Sequence, residues 1–214
     1  MMAMDKTIAG AASALNLAWE TINWDQAEKI VRRLQMRIAK ATRERRYGKV
    51  KALQWILTHA YSAKLMAVRR VSQNSGGKTP GTDGVVWKTA QDKMKAALSL
   101  KRHGYQTRPL KRIYIPKKNT SALRPLSIPS MKCRGMQALN LLAFEPVMEM
   151  TADKNAYGFR PRRSTADAIE KCFKSLCRKG SAQFILEGDI RACFDKICHS
   201  WLLTNADSTV KCNR

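Results

Sequence analysis

The sequence is poor in acidic residues. Only 16 Asp and Glu accompany 40 Lys and Arg in 214 residues, which gives a formal net charge of +24. The basic excess runs along the whole chain and is not confined to one end. A charge of this size opposes compaction unless a polyanion neutralises it, so we expect nucleic acid as the partner. The alternative is a basic surface that serves only solubility.

The sequence also lacks long apolar runs and paired cysteines. No run approaches the roughly 20 apolar residues that a membrane span needs, so no membrane partner is expected. The 6 cysteines form no CxxC pair, and no His stands at zinc-finger spacing from them, which favours reduced thiols in an intracellular protein. Residues 1–20 are predicted to be a poorly ordered leader, with a transit peptide as the weaker alternative.

Residues 21–71 are predicted to form a basic helical extension. Asn23 is a candidate N-cap with Gln26 as its capping-box partner, and apolar residues then recur at helical spacing up to Ala41. A second helical stretch is predicted over residues 50–71, with Gly48 where the two would join. The basic residues on the remaining faces are either solvated or in contact with RNA.

A loop rich in Gly, Ser and Pro, residues 72–84, follows this extension. It is either a linker or a phosphate-contacting loop, in which Lys78 and free backbone N–H groups of Gly76, Gly77 and Gly81 would meet phosphate oxygens. The loop lacks the spacing of a nucleotide P-loop.

A β-hairpin is predicted after a helix over about residues 87–102. Ile113 and Ile115 alternate with other residue types, as do Leu126 and Ile128, and a short polar loop separates the two runs. The tip and flanks carry five cations: Lys111, Arg112, Lys117, Lys118 and Arg124. The hairpin is either a generic surface ribbon or a basic flap over a polyphosphate.

The second half of the chain offers an arginine-rich turn and an acidic strand end. After a helix predicted over residues 131–150, residues 157–165 read YGFRPRRST, which indicates either a turn before a helix capped by Ser164 or Thr165, or a surface that stacks on bases. Residues 183–186 have the composition of a strand, and Asp189 follows them. That carboxylate is either a paired structural group or a ligand for a hard metal ion such as Mg²⁺.

Six sequence blocks in this order resemble the reverse transcriptase/maturase proteins encoded by group II introns, in their bacterial and chloroplast-like branch. The blocks are NSGGKTPGTDGVVW, PLKRIYIPK, LRPLSIPSMK, RGMQALNLLAFEP, ADKNAYGFRPRRSTADA and LEGDIRACFDKICHSWLL. The resemblance covers roughly residues 20–205 and implies an α+β fold belonging to a right-hand polymerase. The helical extension would be followed by fingers over residues 72–180, by the first palm strand and its helix over residues 181–205, and by a divergent tail from residue 206.

The resemblance implies roles for five residues at a polymerase site. Asp189 matches the first catalytic aspartate, which holds Mg²⁺ for two-metal phosphoryl transfer with help from the carbonyl of Ile190. Phe194 matches the aromatic residue that packs under the incoming sugar and selects dNTP. Lys117 and Arg124 match fingers residues that hold the triphosphate.

The resemblance also implies contacts with RNA, template and primer. Lys78 lies in the block that matches the family's motif 0, and the GFRPRRS block matches a segment that contacts the template. The expected nucleic-acid contacts are Lys78, Arg112, Arg134, Arg160, Arg162, Arg163, Arg32, Arg33 and Arg37. The implied partners are group II intron RNA, an RNA template with a DNA primer, and dNTP, in the bacterial cytoplasm or in an organelle.

The sequence departs from the family in two places. Cys133 stands where the family commonly has an acidic residue, so Arg134 is expected to lose its partner. No Tyr-x-Asp-Asp motif follows Asp189, and one carboxylate cannot hold two Mg²⁺ ions. We therefore expect a truncated polymerase that binds RNA but does not polymerise alone. Three hypotheses stay open: a polymerase completed by a second polypeptide or a dimer, a splicing-assistance module, and a decayed reading frame.

Overall fold

A computed structural model describes residues 18–118, 121–190 and 193–205 of the chain. Most of the predicted leader and the predicted tail, residues 206–214, lie outside the described residues. An N-terminal unit ends at Val147 and a C-terminal unit begins at Met148, and each is described here by itself. None of the described helices is long and apolar enough to cross a membrane.

The N-terminal unit begins with three helices: α1, Trp24–Arg43; α2, Tyr47–His59; and α3, Tyr61–Gln73. The predicted cap is confirmed, because the Asn23 side chain accepts a hydrogen bond of 2.9 Å from the Gln26 backbone N–H. The single stretch predicted over residues 50–71 is wrong: the chain is extended at Ala60, where α2 ends and α3 begins. No Gly or Pro marks this break, so the apolar periodicity runs through it.

The sequence had suggested that Gly48 joins the first two helices, and this prediction is wrong. It lies in the first turn of α2, and the join falls at residues 44–46, where Arg45 adopts a φ of 55°. The predicted helix over residues 87–102 is also shorter, because α4 spans Ala90–Ser99. Thr89 and Asp92 form a capping box that fixes its start, with bonds of 3.0 and 3.1 Å between backbone and side chain. Trp87 is therefore outside the helix, where it is buried in the core.

The core of this unit is one cluster, to which α1 to α4 and a long helix, α5, contribute. The prediction of that last helix is confirmed, since α5 spans Met131–Thr151. Apolar side chains pack at the helical spacing that the sequence showed, with Ile38 and Leu57 fully buried. The packing of these helices gives the unit a stable frame for its loops.

Pro146 lies inside α5 and disturbs its hydrogen bonds. Proline has no N–H to give to the carbonyl of Leu142, four residues earlier. Gln35 of α1 supplies a donor instead, with its Nε2 2.9 Å from that oxygen. The buried Gln54 of α2 donates in the same way to the carbonyl of Ala143 at 3.1 Å. Two glutamines thus attach α1 and α2 to the turn of α5 that precedes Pro146.

The predicted β-hairpin is confirmed. Strands β1, Lys111–Pro116, and β2, Leu123–Ile128, pair antiparallel, and Ile113 lies opposite Leu126. The Lys117 backbone N–H donates to the carbonyl of Ala122 at 2.9 Å, which continues the pairing towards the tip.

The C-terminal unit contains three helices among its described residues: α6, Thr165–Leu176; α7, Cys193–Lys196; and α8, His199–Asn205. Ser164 caps α6 through a capping box with Asp167, as one of the two predicted caps. The predicted strand over residues 183–186 is wrong, since these residues belong to no strand and are exposed. A strand needs a neighbour for its backbone groups, and no described segment pairs with this one.

The substitution Gln35→Ala tests the role of Gln35 beside Pro146. We expect it to lower the free energy of unfolding by about 0.5–1.5 kcal/mol, because the Leu142 carbonyl loses its donor. In a Pro146→Ala background the helix regains its own N–H, so the effect of Gln35→Ala should shrink. Urea denaturation of the four variants measures this coupling. An equal effect in both backgrounds would contradict the proposed compensation.

Candidate nucleic-acid interface

Arg134, in the first turn of α5, joins three segments of the N-terminal unit. Its Nε donates to the carbonyl of Pro129 at 2.9 Å and its Nη1 to the carbonyl of Gly76 at 2.7 Å, while Nη2 bonds the carbonyl of Thr79. The expectation that Arg134 is unpaired is wrong. All three acceptors are neutral carbonyls, however, so these hydrogen bonds hold the loop without neutralising the positive charge of the guanidinium.

The glycine-rich loop is packed against α3 and the start of α5. It begins with a 3₁₀ turn, Ser75–Lys78, and both Gly77 and Gly81 are buried. A Cβ on Gly77 would lie 2.6 Å from the Ser72 carbonyl oxygen, and one on Gly81 2.6 Å from the Ser130 Cα. These close approaches between backbone segments explain why the loop needs glycine at both positions.

This packing corrects the expectation of a free backbone N–H at Gly77. The N–H of Gly77 donates to the Asn74 carbonyl at 2.8 Å, inside the 3₁₀ turn, and is not available to a ligand. The side chain of Lys78 is exposed, as a phosphate contact requires. The loop therefore presents the Lys78 side chain but not the Gly77 amide, and phosphate contacts by the amides of Gly76 and Gly81 stay a prediction.

Cys133 is buried beside Arg134 but does not contact it in the way an acidic residue would. Burial acts to raise the pKa of its thiol, but hydrogen bonds with the Arg108 backbone, Ser130 and Tyr105 outweigh it and leave the pKa lowered. The thiol thus occupies a polar niche under the loop. Arg134 is paired instead with the backbone carbonyls of Pro129, Gly76 and Thr79.

A groove of about 700 Å³ runs between the end of α3, the loop and the first half of α5. Arg70 and Asn74 line one wall, and Arg134, Gln137 and Leu141 line the other. Guanidinium and amide groups are the donors that phosphate and sugar oxygens accept. No sequence motif pointed to Arg70 or Gln137, because only the helix packing brings them together.

The hairpin register divides its cations between two faces. Side chains alternate along a strand, and directly opposite residues share a face. Arg124 lies opposite Ile115, so it shares a face with Ile115 and, two residues further along, with Lys117. Arg112 projects from the other face, and all three cations are exposed. This arrangement is compatible with a joint phosphate contact by Lys117 and Arg124, which stays a prediction.

Further predicted contacts lie on α1. Arg32, Arg33 and Arg37 are all exposed, on faces of the helix that the core does not cover. Their exposure is compatible with the predicted RNA contact, which stays a prediction.

The side chain of Arg160 makes hydrogen bonds within the C-terminal unit. It forms a bidentate pair with Glu149, at 3.0 Å from Nε and 2.7 Å from Nη2. Its Nη1 donates to the carbonyls of Asp153 and Ala156 at 2.8 and 2.9 Å. These contacts favour a structural role for Arg160 over the predicted template contact.

The same turn displays its neighbours to solvent. Phe159 and Arg162 adopt φ values of 59° and 58°, and both side chains are exposed. The Arg163 guanidinium lies 5.4 Å from the centre of the Tyr157 ring, which is a cation–π distance. Arg162 and Arg163 stay candidates for template contact.

The predicted polymerase site is incomplete among the described residues. Asp189 and Ile190 are exposed, and no group of three His, Cys, Asp or Glu side chains in the described ranges could hold a metal ion. The residues present therefore do not fit a two-metal centre. The side chain of Phe194 lies outside the described part of the structure.

Comparison with known proteins accounts for this set of features. Residues 19–100 match the N-terminal domain of reverse transcriptase, and residues 115–213 match the reverse transcriptase (RNA-dependent DNA polymerase) domain. The chain belongs to the RNA-directed DNA polymerase family.

The chain is also similar to individual proteins, some of which are encoded by introns. The chain is 36% identical to Protein YkfC of Escherichia coli over 144 residues, covering 64% of this chain and 38% of that protein. It is 33% identical to the group II intron-encoded protein LtrA of Lactococcus lactis over 140 residues, covering 64% of this chain and 23% of LtrA. An uncharacterized 91 kDa protein in the cob intron of Schizosaccharomyces pombe is 32% identical over 155 residues, or 70% of this chain and 18% of that protein. The resemblance to group II intron proteins is confirmed, and the chain spans well under half the length of each relative.

The substitution Arg134→Lys tests the attachment of the loop. A single ammonium cannot reproduce a planar fork that reaches three carbonyls, so residues 76–81 should exchange their amide hydrogens faster. Hydrogen–deuterium exchange with mass spectrometry measures this rate, and Lys132→Ala, an exposed neighbour on α5, is the control. Unchanged exchange in the Arg134→Lys variant would show that the loop is held by other contacts.

The Glu149–Arg160 pair predicts a pH effect in the C-terminal unit. Hydrogen bonds from Arg160 hold the pKa of Glu149 below its ordinary value of 4.5. Because the folded pKa is the lower one, the pair stabilises the turn above pH 4.5 and this stabilisation is lost as the pH falls through the folded pKa.

Limited proteolysis of the turn at residues 153–163, with an acid-active protease, should therefore accelerate as the pH falls below about 4.5. Glu149→Gln should give fast cleavage with little dependence on pH. The matched control is Glu170→Gln, which removes a pair on the surface of α6. A wild-type turn that is equally resistant throughout this range would refute the assignment.

Proposed function

We propose that the chain is the RNA-binding part of a group II intron reverse transcriptase/maturase, and that its N-terminal unit binds intron RNA and assists splicing. The observation that carries this proposal is the Arg134 contact. The three described hydrogen bonds of this guanidinium go to neutral carbonyls, which do not neutralise its charge, and Arg134 lines a groove of about 700 Å³. The net charge of +24 gives the same surface a strong attraction for a polyanion.

The binding mode follows from the kind of groups exposed. Guanidinium, ammonium and amide donors on helices and loops suit the phosphates and 2′-hydroxyl groups of a folded RNA better than base edges in a deep groove. Arg70, Arg134 and Lys78 would bind one segment of the RNA. The exposed arginines of α1 would bind another, which fits recognition by shape.

The polymerase reaction requires more than this chain shows. In our proposal Asp189 and the Ile190 carbonyl bind Mg²⁺ only together with carboxylates from a polypeptide that carries the rest of the palm and the thumb. Lys117 and Arg124 would then hold the dNTP triphosphate and Phe194 would select the deoxy sugar. An RNA template and a DNA primer would lie against Arg112, Arg162 and Arg163.

The C-terminal unit supports the need for such a partner. None of its described residues is buried, and one face of α6 exposes Ile169 and Phe173. Phe184 and Leu186 are 93% and 98% exposed, in the segment where the family has a palm strand. A second polypeptide or a second copy of the chain would cover these groups and supply the missing strand neighbour.

Two alternatives remain alongside this proposal. A splicing-assistance module would need only the N-terminal unit. A decayed reading frame would leave the exposed apolar residues uncovered, and the protein would aggregate. Whether the chain is part of a polymerase or a splicing-assistance module, we propose that it is located with its intron RNA, in the bacterial cytoplasm or in an organelle.

A salt titration tests the proposal. The purified chain is bound to a folded group II intron RNA and to an unrelated structured RNA of equal length, with primer extension in Mg²⁺ and dNTP on the same samples. We expect tighter binding to the intron RNA, a steep fall of affinity with salt, and no extension. Equal affinity for both RNAs would contradict specific recognition, and extension that Asp189→Asn abolishes would contradict the need for a partner.

A single variant tests the groove itself. Arg70→Gln should weaken RNA binding and reduce the slope of log affinity against log salt by about 0.7–0.9, which corresponds to one phosphate contact. The control is Lys174→Gln, because the Lys174 ammonium is paired with Glu170 on α6. Equal losses in the two variants would mean that the groove has no special role and that the charge acts diffusely.

A further inference from the structure

A second cleft, of about 480 Å³, lies where the end of α2 faces the turn before β1. Trp55 and His59 form one wall and stack on each other, with ring centres 4.1 Å apart and planes inclined by 23°. The Nδ1 of His59 is 2.8 Å from the Trp55 carbonyl oxygen, which fixes the tilt of the imidazole. Trp55 is nevertheless 54% exposed, so a large aromatic surface is open to solvent.

The opposite wall is a turn at residues 102–106. Gly104 has a φ of 71°, in the region that favours glycine, and the Tyr105 N–H closes the turn by donating to the Arg102 carbonyl at 3.2 Å. Tyr105 is partly buried and packs against the hydrophobic core. The tyrosine is therefore attached to the core, and the cleft is formed before any ligand arrives.

The cleft combines aromatic rings with one guanidinium, that of Arg102. Arg102 and His103 line the cleft, and no acidic side chain does so among its described lining residues. A metal ion is a poor match, because no third ligand joins the two histidines within the described ranges. Flat aromatic surface beside a guanidinium is the combination that stacks on a nucleobase and pairs with its phosphate.

From this geometry we infer that the cleft binds one unpaired nucleotide of the RNA, with its base stacked on Trp55 and its phosphate on Arg102. Bases are available for stacking only where they leave the helix, in loops, bulges and single strands. The inference rests on the proposed function and adds to it a contact that distinguishes looped RNA from plain duplex. None of these residues belongs to the blocks that match the polymerase site.

The test compares two RNAs bound to the full chain. One is a hairpin with a single 2-aminopurine in a five-nucleotide loop, and the other is a blunt duplex with the same number of phosphates. Trp55→Ala should weaken binding of the hairpin by roughly 5- to 100-fold, the range for one lost stacking contact, and should leave binding of the duplex unchanged. The fluorescence of the 2-aminopurine should change on binding to the wild type but not to Trp55→Ala.

Two further variants complete the design. Trp55→Phe keeps a flat ring and should retain most of the hairpin affinity, and Ile56→Ala changes an exposed neighbour on α2 that does not line the cleft. Thermal unfolding of each variant checks that the fold is kept. Equal losses for hairpin and duplex, or none for either, would overturn the inference while leaving RNA binding intact. A wild type that binds neither RNA would overturn the proposed function as well.

Discussion

The binding surface of the N-terminal unit depends on the hydrogen bonds of Arg134. One guanidinium bonds the end of the hairpin at Pro129 and the glycine-rich loop at Gly76 and Thr79. It fixes the loop close to α3 and to the start of α5, which is possible because Gly77 and Gly81 carry no side chains. Since carbonyls rather than a carboxylate accept these bonds, the anchor is also a free positive charge for a ligand.

Elsewhere in the chain, side chains pair with backbone groups that lack a partner within their own helix. Pro146 leaves a carbonyl of α5 without its helical donor, and Gln35 fills that role from another helix. The capping box at Thr89 pairs two backbone amides at the start of α4, and Ser164 forms the same box at the start of α6 in the C-terminal unit. Most of the arginines and lysines lie on the surface, where their mutual repulsion makes a polyanion a favourable partner.

Much of the fold could be predicted from periodicity and turn chemistry. Asn23, the hairpin from residue 111 to residue 128 and helix α5 gave clear local signals, and the structure confirms them. The break at Ala60 could not be foreseen, because no residue there disfavours a helix. The strand before Asp189 was predicted from its composition and from the family resemblance, and neither supplies the neighbouring strand that pairing requires. At the site, the cations of the hairpin could be identified from sequence. The groove with Arg70 and Gln137 and the cleft at Trp55 arise only because segments distant in sequence pack together.

The central claim is that the N-terminal unit is the part of this chain that binds RNA. Hydrogen–deuterium exchange of the full chain, with and without a folded group II intron RNA, tests it most directly. The account predicts that RNA slows exchange at residues 70–81 and 134–141 and leaves residues 165–176 unchanged. Protection confined to the C-terminal unit, or none in the presence of saturating RNA, would contradict it.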